Sequence, residues 1–238
     1  APIIPVSAHH DVNLDILIDA IEEIIPTPDL RDKEDALMYV ARSFDINRPG
    51  ARPSKLQGGI IGGSVVSGNF KEGDEIIIAP GRKITEGSKS RWEPIVTKIS
   101  SVKAGGLDLE SVHAGGLCGI ATPLDPYHTK SDNLSGQVMA KVGQLPPVWD
   151  TIDVTLNLLN QMVSGESDGE NIRPIQPGEM LMLNSATATS VGVVSTVKAK
   201  NATLSLRLPI CALSGSRITL SRRVGSRWRL IGHGIIAG

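Results

Sequence analysis

Apolar positions along the chain follow two different periods. Between Asp11 and Ile25, Leu14, Leu17, Ile18, Ile21 and Ile25 recur at steps of three and four, with Asp15, Asp19, Glu22 and Glu23 on the opposite side. This one-sided 3.6-residue period predicts an amphipathic helix, with Asp11 or Asn13 as N-cap and Pro26 and Pro28 ending it. Residues 1–8, APIIPVSA, precede it as an apolar run that predicts a strand. One strand and one helix cannot bury that apolar face between them, so the pair reads as the tail of a larger α/β domain. Pro and charged residues then fill 26–35, a linker.

Beyond residue 35 the helical period disappears. Short β-branched runs between turn residues take over: 36–44, 58–70, 75–80, 92–103, 116–122 and 134–142. Leu145-Pro146-Pro147 makes a second break, and strand-like runs resume at 151–159, 180–185, 191–198, 202–208, 217–221 and 228–236. That spacing predicts all-β barrels or sandwiches. The polar stretch Ser164–Glu170 reads as a mobile loop tip. A faint internal echo, Glu72–Ile78 against Pro177–Leu183, places a Gly turn, an acid and an apolar strand in the same order twice. The chain is therefore expected to be mainly β: two consecutive β-barrels behind a strand-helix remnant, with boundaries at 1–35, 36–145 and 146–238.

Composition narrows the function classes. Apolar runs such as Ile76–Ala79 are only a few residues long, so no membrane-spanning helix is expected. Cys118 and Cys211 lack a CxxC or His partner at ligand spacing, which argues against a disulfide framework or a zinc site and for a cytoplasmic, buried role. His9-His10 are adjacent turn residues expected to point apart, and no metal site is assigned. His113 and His128 are isolated in sequence, Asp125 and Asp132 have no evident partner, and no catalytic constellation emerges.

The net charge of -1 hides an asymmetry. Residues 1–150 hold 20 of the 25 acids and 15 of the 24 Lys and Arg, and no acid follows Glu179 while Lys198, Lys200, Arg207, Arg217, Arg222, Arg223, Arg227 and Arg229 do. A basic surface without neutralising acids is suited to polyanions, phosphate backbones above all; interdomain salt bridging to the acidic first part is the competing use. Around Trp228, the arginines at 222, 223, 227 and 229 offer planar guanidiniums for phosphate. Strand alternation puts Arg227 and Arg229 on one face and Trp228 on the other, which predicts a core position for Trp228.

The run GGIIGGSVVSGNFKEGDEI over 58–76, followed by Pro80-Gly81, resembles the second-domain barrel of translational GTPases. With Arg42–Gly50, Gly115-Gly116-Leu117, Leu124–Asn133, Gly178–Asn184 and SRRVGSRWRLIG over 221–232, the chain resembles the gamma subunit of archaeal and eukaryotic translation initiation factor two from end to end. The resemblance implies a GTP-binding domain followed by barrel domains II and III. It implies a carrier of methionylated initiator tRNA to the small ribosomal subunit and its mRNA, working with alpha and beta subunits and with GTP and magnesium. It places Ser7, Ala8 and His9 at the guanine base, Gly115 and Gly116 near the aminoacylated tRNA end, and Arg42, Asp45, Asn47 and Arg48 as a docking turn for the alpha subunit. The G-x-x-x-x-G-K-[ST] phosphate loop, an Asp-containing magnesium motif and Asn-Lys-x-Asp do not occur in this chain. This segment alone is therefore not expected to hydrolyse GTP. Two alternatives share the barrels: an elongation-factor-type aminoacyl-tRNA carrier, and a protein-docking scaffold whose RNA contact is incidental.

Overall fold

A computed structural model describes residues 2–26, 30–87, 89–161 and 171–237. The expected loop tip at Ser164–Glu170 lies outside the described residues. The chain divides into a small unit, residues 1–31, and a large one, residues 32–238.

The small unit contains α1 (Leu14–Ile24). No residue of this helix is buried, and Ile18, Ile21 and Ile25 of the predicted apolar face stay exposed. Asn13 takes the N-cap place in a left-handed conformation, yet its side chain does not cap the helix and instead donates to the Pro5 carbonyl at 2.9 Å. Among the described residues the strand expected over 1–8 does not form, and Ser7 makes an isolated bridge to Val12. Pro2 and Pro5 lack the N–H groups that a ladder needs.

The first part of the large unit contains β1 (Leu37–Phe44), β2 (Ile60–Ser67), β3 (Asn69–Lys71), β4 (Glu75–Glu86), β5 (Lys89–Lys98), β6 (Ser101–Ala104), β7 (Leu107–Leu109), β8 (Ser111–His113), β9 (Leu117–Ala121), the short helix α2 (Pro126–Thr129) and β10 (Val138–Lys141). Eight of these strands form one sheet in the order β5-β4-β10-β1-β2-β9-β6-β7, while β3 pairs with β8. Ile95 of β5 and Val102 of β6, far apart in that order, belong to the same buried cluster as Met38, Ile61, Phe70 and Ile120. The sheet thus wraps round a shared core, a barrel with an open seam.

The second part contains β11 (Val148–Leu158), β12 (Met180–Ser185), β13 (Ala188–Lys198), β14 (Asn201–Cys211), β15 (Arg217–Val224) and β16 (Arg227–Ile236), closed in the order β11-β14-β13-β12-β15-β16. Its interior alternates cleanly: Ile152, Val154 and Leu156 on β11, Leu181 and Leu183 on β12, Ile218 and Leu220 on β15. A small apolar cluster of Leu37, Ala79, Val138 and Ala140 with Cys211 lies between the two barrels.

Candidate functional site

Three places collect the expected site residues. The first is an apolar groove on the first barrel, with a volume of about 520 Å³. Phe44, Ile46, Ile60 and Leu117 line it, with Cys118 in the floor and Lys103 at one side. Phe44 is 40% and Leu117 73% exposed, so large apolar side chains here face solvent. Beside it, the turn after β1 is tightly built. Asp45 Oδ1 accepts from the Asn47 amide at 2.8 Å, and Asn47 and Gln57 exchange two hydrogen bonds, at 2.8 Å and 2.7 Å, that staple the base of the loop. Arg42 Nε donates to Asp132 Oδ1 at 2.8 Å, and the Ser43 amide reaches the same oxygen at 3.0 Å. These two bonds, the Arg42 one foremost, hold the Asp132 carboxyl below the usual range, and Arg42 is raised in turn. Of the four expected docking residues, Arg42, Asp45 and Asn47 shape the loop, and Arg48 projects from it, exposed.

The sequence reading left Asp125 and Asp132 without partners and His113 isolated; the structure corrects this. Asp125 caps α2 by accepting from the Tyr127 amide at 2.8 Å. Asp132 is separated from Arg42 by 90 positions in sequence, which is why spacing missed it. His113 Nε2 lies 3.3 Å from Ser111 Oγ, and its Nδ1 lies 3.9 Å from Asp32. In the adjoining turn, the Gly115 amide donates to Val65 at 3.0 Å, and Gly116 faces open space.

The second place is the β15–β16 ribbon. Here Arg222 does not join an exposed arginine cluster. It is 9% exposed and its cross-strand partner Leu181 is fully buried, so it faces into the barrel mouth. There it pairs with Glu179 and donates to the carbonyl of Arg173 at 2.9 Å. Its carboxylate partner belongs to the same barrel, so Arg222 does not make the interdomain bridge the sequence allowed. Arg223 and Arg227 are exposed, and Arg229, directly across from Arg222, is half-buried. Trp228 is half-buried beside Arg223 and outside the core cluster, because the ribbon runs past the end of the barrel. Lys198, Lys200 and Arg217 sit at the other barrel end, near Thr155 of β11 and the C-terminal end of β16. With Arg207 exposed on β14, the basic excess is thus spread over two ends, a strand and one interior position, which a count cannot reveal.

The third place is the turn at Ser7. The Ser7 amide donates to Val12 at 3.2 Å, and its carbonyl accepts from His10 and Val12. Among the described residues the amides of Ala8 and His9 make no hydrogen bond within the chain. The His9 and His10 rings do not point apart; they meet edge to face with centroids 4.8 Å apart. Among the described residues no group of three or more His, Cys, Asp or Glu could hold a metal, and no helix is long and apolar enough to cross a membrane.

Burial pushes the Cys118 thiol up to about 11 and that of Cys211 to about 12, the character of packed apolar side chains.

The barrels match known proteins. Residues 58–140 fit the family profile of elongation factor Tu domain 2, and residues 150–236 that of initiation factor eIF2 gamma, C terminal. The fold matches a bacterial selenocysteine-specific elongation factor with a TM-score of 0.70 at 15% identity, over 98% of this chain and 33% of that one. It also matches the elongation factor SelB of Methanococcus maripaludis, solved with the GTP analogue GPPNHP, with a TM-score of 0.70 at 18% identity, over 100% of this chain and 51% of that one. The architecture is that of the barrel domains II and III of translational GTPases. Translation initiation factor 2 subunit gamma of Methanocaldococcus jannaschii is 52% identical over 238 residues, 100% of this chain and 58% of the relative. That of Halobacterium salinarum is 48% identical over 236 residues, 99% of this chain and 57% of the relative. The chain belongs to the gamma-subunit family of translation initiation factor 2, as its C-terminal portion, and spans somewhat over half the length of these relatives.

Proposed function

We propose that this chain is the barrel-bearing part of a translation initiation factor that binds methionylated initiator tRNA and, with alpha and beta subunits, brings it to the small ribosomal subunit and mRNA in the cytoplasm. The single observation that carries this reading is identity of 52% to a gamma subunit, collinear over the whole chain. The domain division is 1–35, 36–145 and 146–238. The exposed Arg223 and Arg227, with Arg229, contact RNA phosphates, while Arg222 anchors the ribbon that carries them. Gly115 and Gly116, where Gly116 faces open space, leave room for the aminoacylated end. The apolar groove beside the stapled Arg42–Arg48 turn takes the alpha subunit.

GTP with magnesium belongs to the intact protein. The unbonded amides of Ala8 and His9, beside Ser7, fit a carbonyl acceptor such as the guanine oxygen. Phosphate-loop and magnesium residues are absent from the chain, so hydrolysis is not assigned to it.

Filter binding with methionyl initiator tRNA across a salt series tests the reading. Arg223→Ala with Arg227→Ala should weaken binding and flatten the salt slope by roughly 0.7 to 0.9 per lost phosphate contact. Equal affinity for elongator and initiator tRNA would replace this reading with the elongation-factor type, which the fold of the selenocysteine factors makes the nearest alternative. Retention of alpha subunit with no tRNA at physiological salt would leave the docking scaffold.

A further inference from the structure

At residue 79 the first barrel changes character. β10 pairs with β4 only over Ile76–Ala79, and beyond that β4 and β5 continue alone as a two-stranded arm with the pairs Arg82 to Glu93, Lys83 to Trp92, Ile84 to Arg91 and Thr85 to Ser90. Its root is fixed. The buried Gln137 side chain accepts from the Gly81 amide at 2.8 Å and donates to its carbonyl at 2.9 Å, and a Cβ on Gly81 would stand 1.9 Å from the Glu93 carbonyl. Residues that pair across an antiparallel ribbon share a face. One face therefore holds the ion pairs Arg82–Glu93 at 2.9 Å and Arg91–Glu86 at 3.5 Å, and the other holds Lys83, Trp92, Thr85 and Ser90. Lys83 is exposed and has no ion pair among the described residues. Trp92 is half-buried, and its indole N–H has no protein partner among the described residues.

Trp92 opens onto a cleft of about 350 Å³ between the barrels, with Ser90, Arg91 and Pro80 on the arm side and Asp150 and Pro209 on the other. Asp150 lies where the β11 and β14 register slips between Trp149 and Thr151, a bulge of the kind that re-aims a side chain. Its carboxylate is exposed and unpartnered among the described residues. The cleft thus offers a flat aromatic face with an unused N–H donor, proline walls, an unused acceptor and the Arg91 guanidinium, itself paired with Glu86, while the exposed Lys83 shares the Trp92 face of the arm. Its volume is at the low end for small-ligand sites, about the size for one planar group. An apolar ligand would leave Asp150 and the indole unpaired, and a proline-rich peptide would leave Lys83 and Asp150 unused. A nucleotide uses Trp92 for its base, Asp150 for a base amino group and Lys83, on the same face as Trp92, for its phosphate.

We propose that this cleft is a binding site for single-stranded RNA, separate from the β15–β16 arginines and the Gly115-Gly116 loop, with Trp92 as the stacking platform. It goes beyond the tRNA-carrier reading and does not depend on it.

The test is fluorescence anisotropy of the 238-residue chain with a 5′-labelled, unstructured 12-nucleotide RNA of adenine and cytosine, each variant checked by its thermal midpoint. Trp92→Leu should raise Kd about tenfold or more, and Trp92→Phe, which keeps a ring, should stay within about threefold of wild type. The exposed Lys83→Gln should lower the salt slope by roughly 0.7. Asp150→Asn should shrink the preference for oligoadenylate over oligouridylate. Folded Trp92→Leu and Lys83→Gln proteins that bind the 12-mer as wild type does overturn the site, as does displacement of the RNA by a proline-rich decapeptide. Should Trp92→Leu not fold, Lys83→Gln and Trp92→Phe decide. Trp92-dependent 12-mer binding in a chain that rejects initiator tRNA would leave this site standing and sink the carrier reading; tRNA binding without the 12-mer would do the reverse.

Discussion

A Cβ added at Gly63 in the first barrel would stand 2.0 Å from the Tyr39 carbonyl, whereas one at Gly192 in the second meets only side-chain atoms of Leu183, Leu206 and Leu204, the nearest at 3.1 Å. The two barrels reach a similar packed interior by different means. In the first, backbones approach so closely that a side chain has no room, and buried polar side chains such as Ser43 and Gln137 tie distant segments together. In the second, regular alternation and closure dominate: Gly192 and Gly234 face side-chain atoms, although a Cβ at Gly232 would stand 2.4 Å from the Asn157 carbonyl. One barrel is specified by a few exacting contacts and the other by a repeated pattern, so they should differ in how single changes hurt them.

The largest contrast should come from alanine at those two glycines. Gly63→Ala is expected to cost about 3 kcal/mol or more because backbone must move, and Gly192→Ala about 1 kcal/mol or less as leucine rotamers adjust. Urea midpoints of the two variants decide this, and equal losses would erase the distinction.

Next in size is charge. Arg222→Met strands Glu179 at the second barrel's mouth, where the two side chains keep 10% and 19% exposure. The expected loss is about 2 to 3 kcal/mol, at the lower edge of broken buried pairs because some water remains. Arg82→Met, at a pair with side chains 53% and 39% exposed, should cost no more than about 0.5 kcal/mol.

The thiols then report two different places, since Cys118 floors the groove of the first barrel and Cys211, on β14, packs in the cluster between the barrels. Both should resist iodoacetamide at pH 8 in the native protein and react once unfolded, and mass-resolved labelling in rising urea shows whether the first barrel or the contact between the barrels opens first. Their raised values give stability that is whole below the unfolded thiol value of about 8.5 and is lost as pH rises through about 11 and about 12.

The smallest effect is at Asp132, lowered chiefly by Arg42 and then by the Ser43 amide. A depressed carboxyl contributes stability above its unfolded value of about 3.9 that disappears as pH falls through the folded value. Asp132→Asn should remove that acid-side slope, seen as a flatter Tm against pH below about pH 4.

The same contrast decides what could be read in the sequence. The run 180–185 coincides with β12, and the short β-branched runs of the second barrel became its strands because alternation is a local signal. In the first barrel the run 58–70 divides into β2 and β3, and the run ending at Pro80 continues to Glu86 as the arm. The arm's pairs are polar and mixed, so no hydrophobic period marks them. Arg42 with Asp132, and Arg222 with Glu179, are joined only by the fold, and the run of arginines read alike until one of them turned inward. The docking turn was legible as a projection, but its Asn47–Gln57 staple was not.

The seam of the first barrel leaves β5 and β7 with a free flank each, while the second barrel has none. β7 is a three-residue, fully exposed strand, and β5 carries Pro94, which cannot donate to a neighbour. A partner chain can therefore extend the first barrel by main-chain pairing only along a short stretch. On the second it must be recognised by side chains alone, so substitutions there can retune its choice of partner without any backbone ladder to preserve.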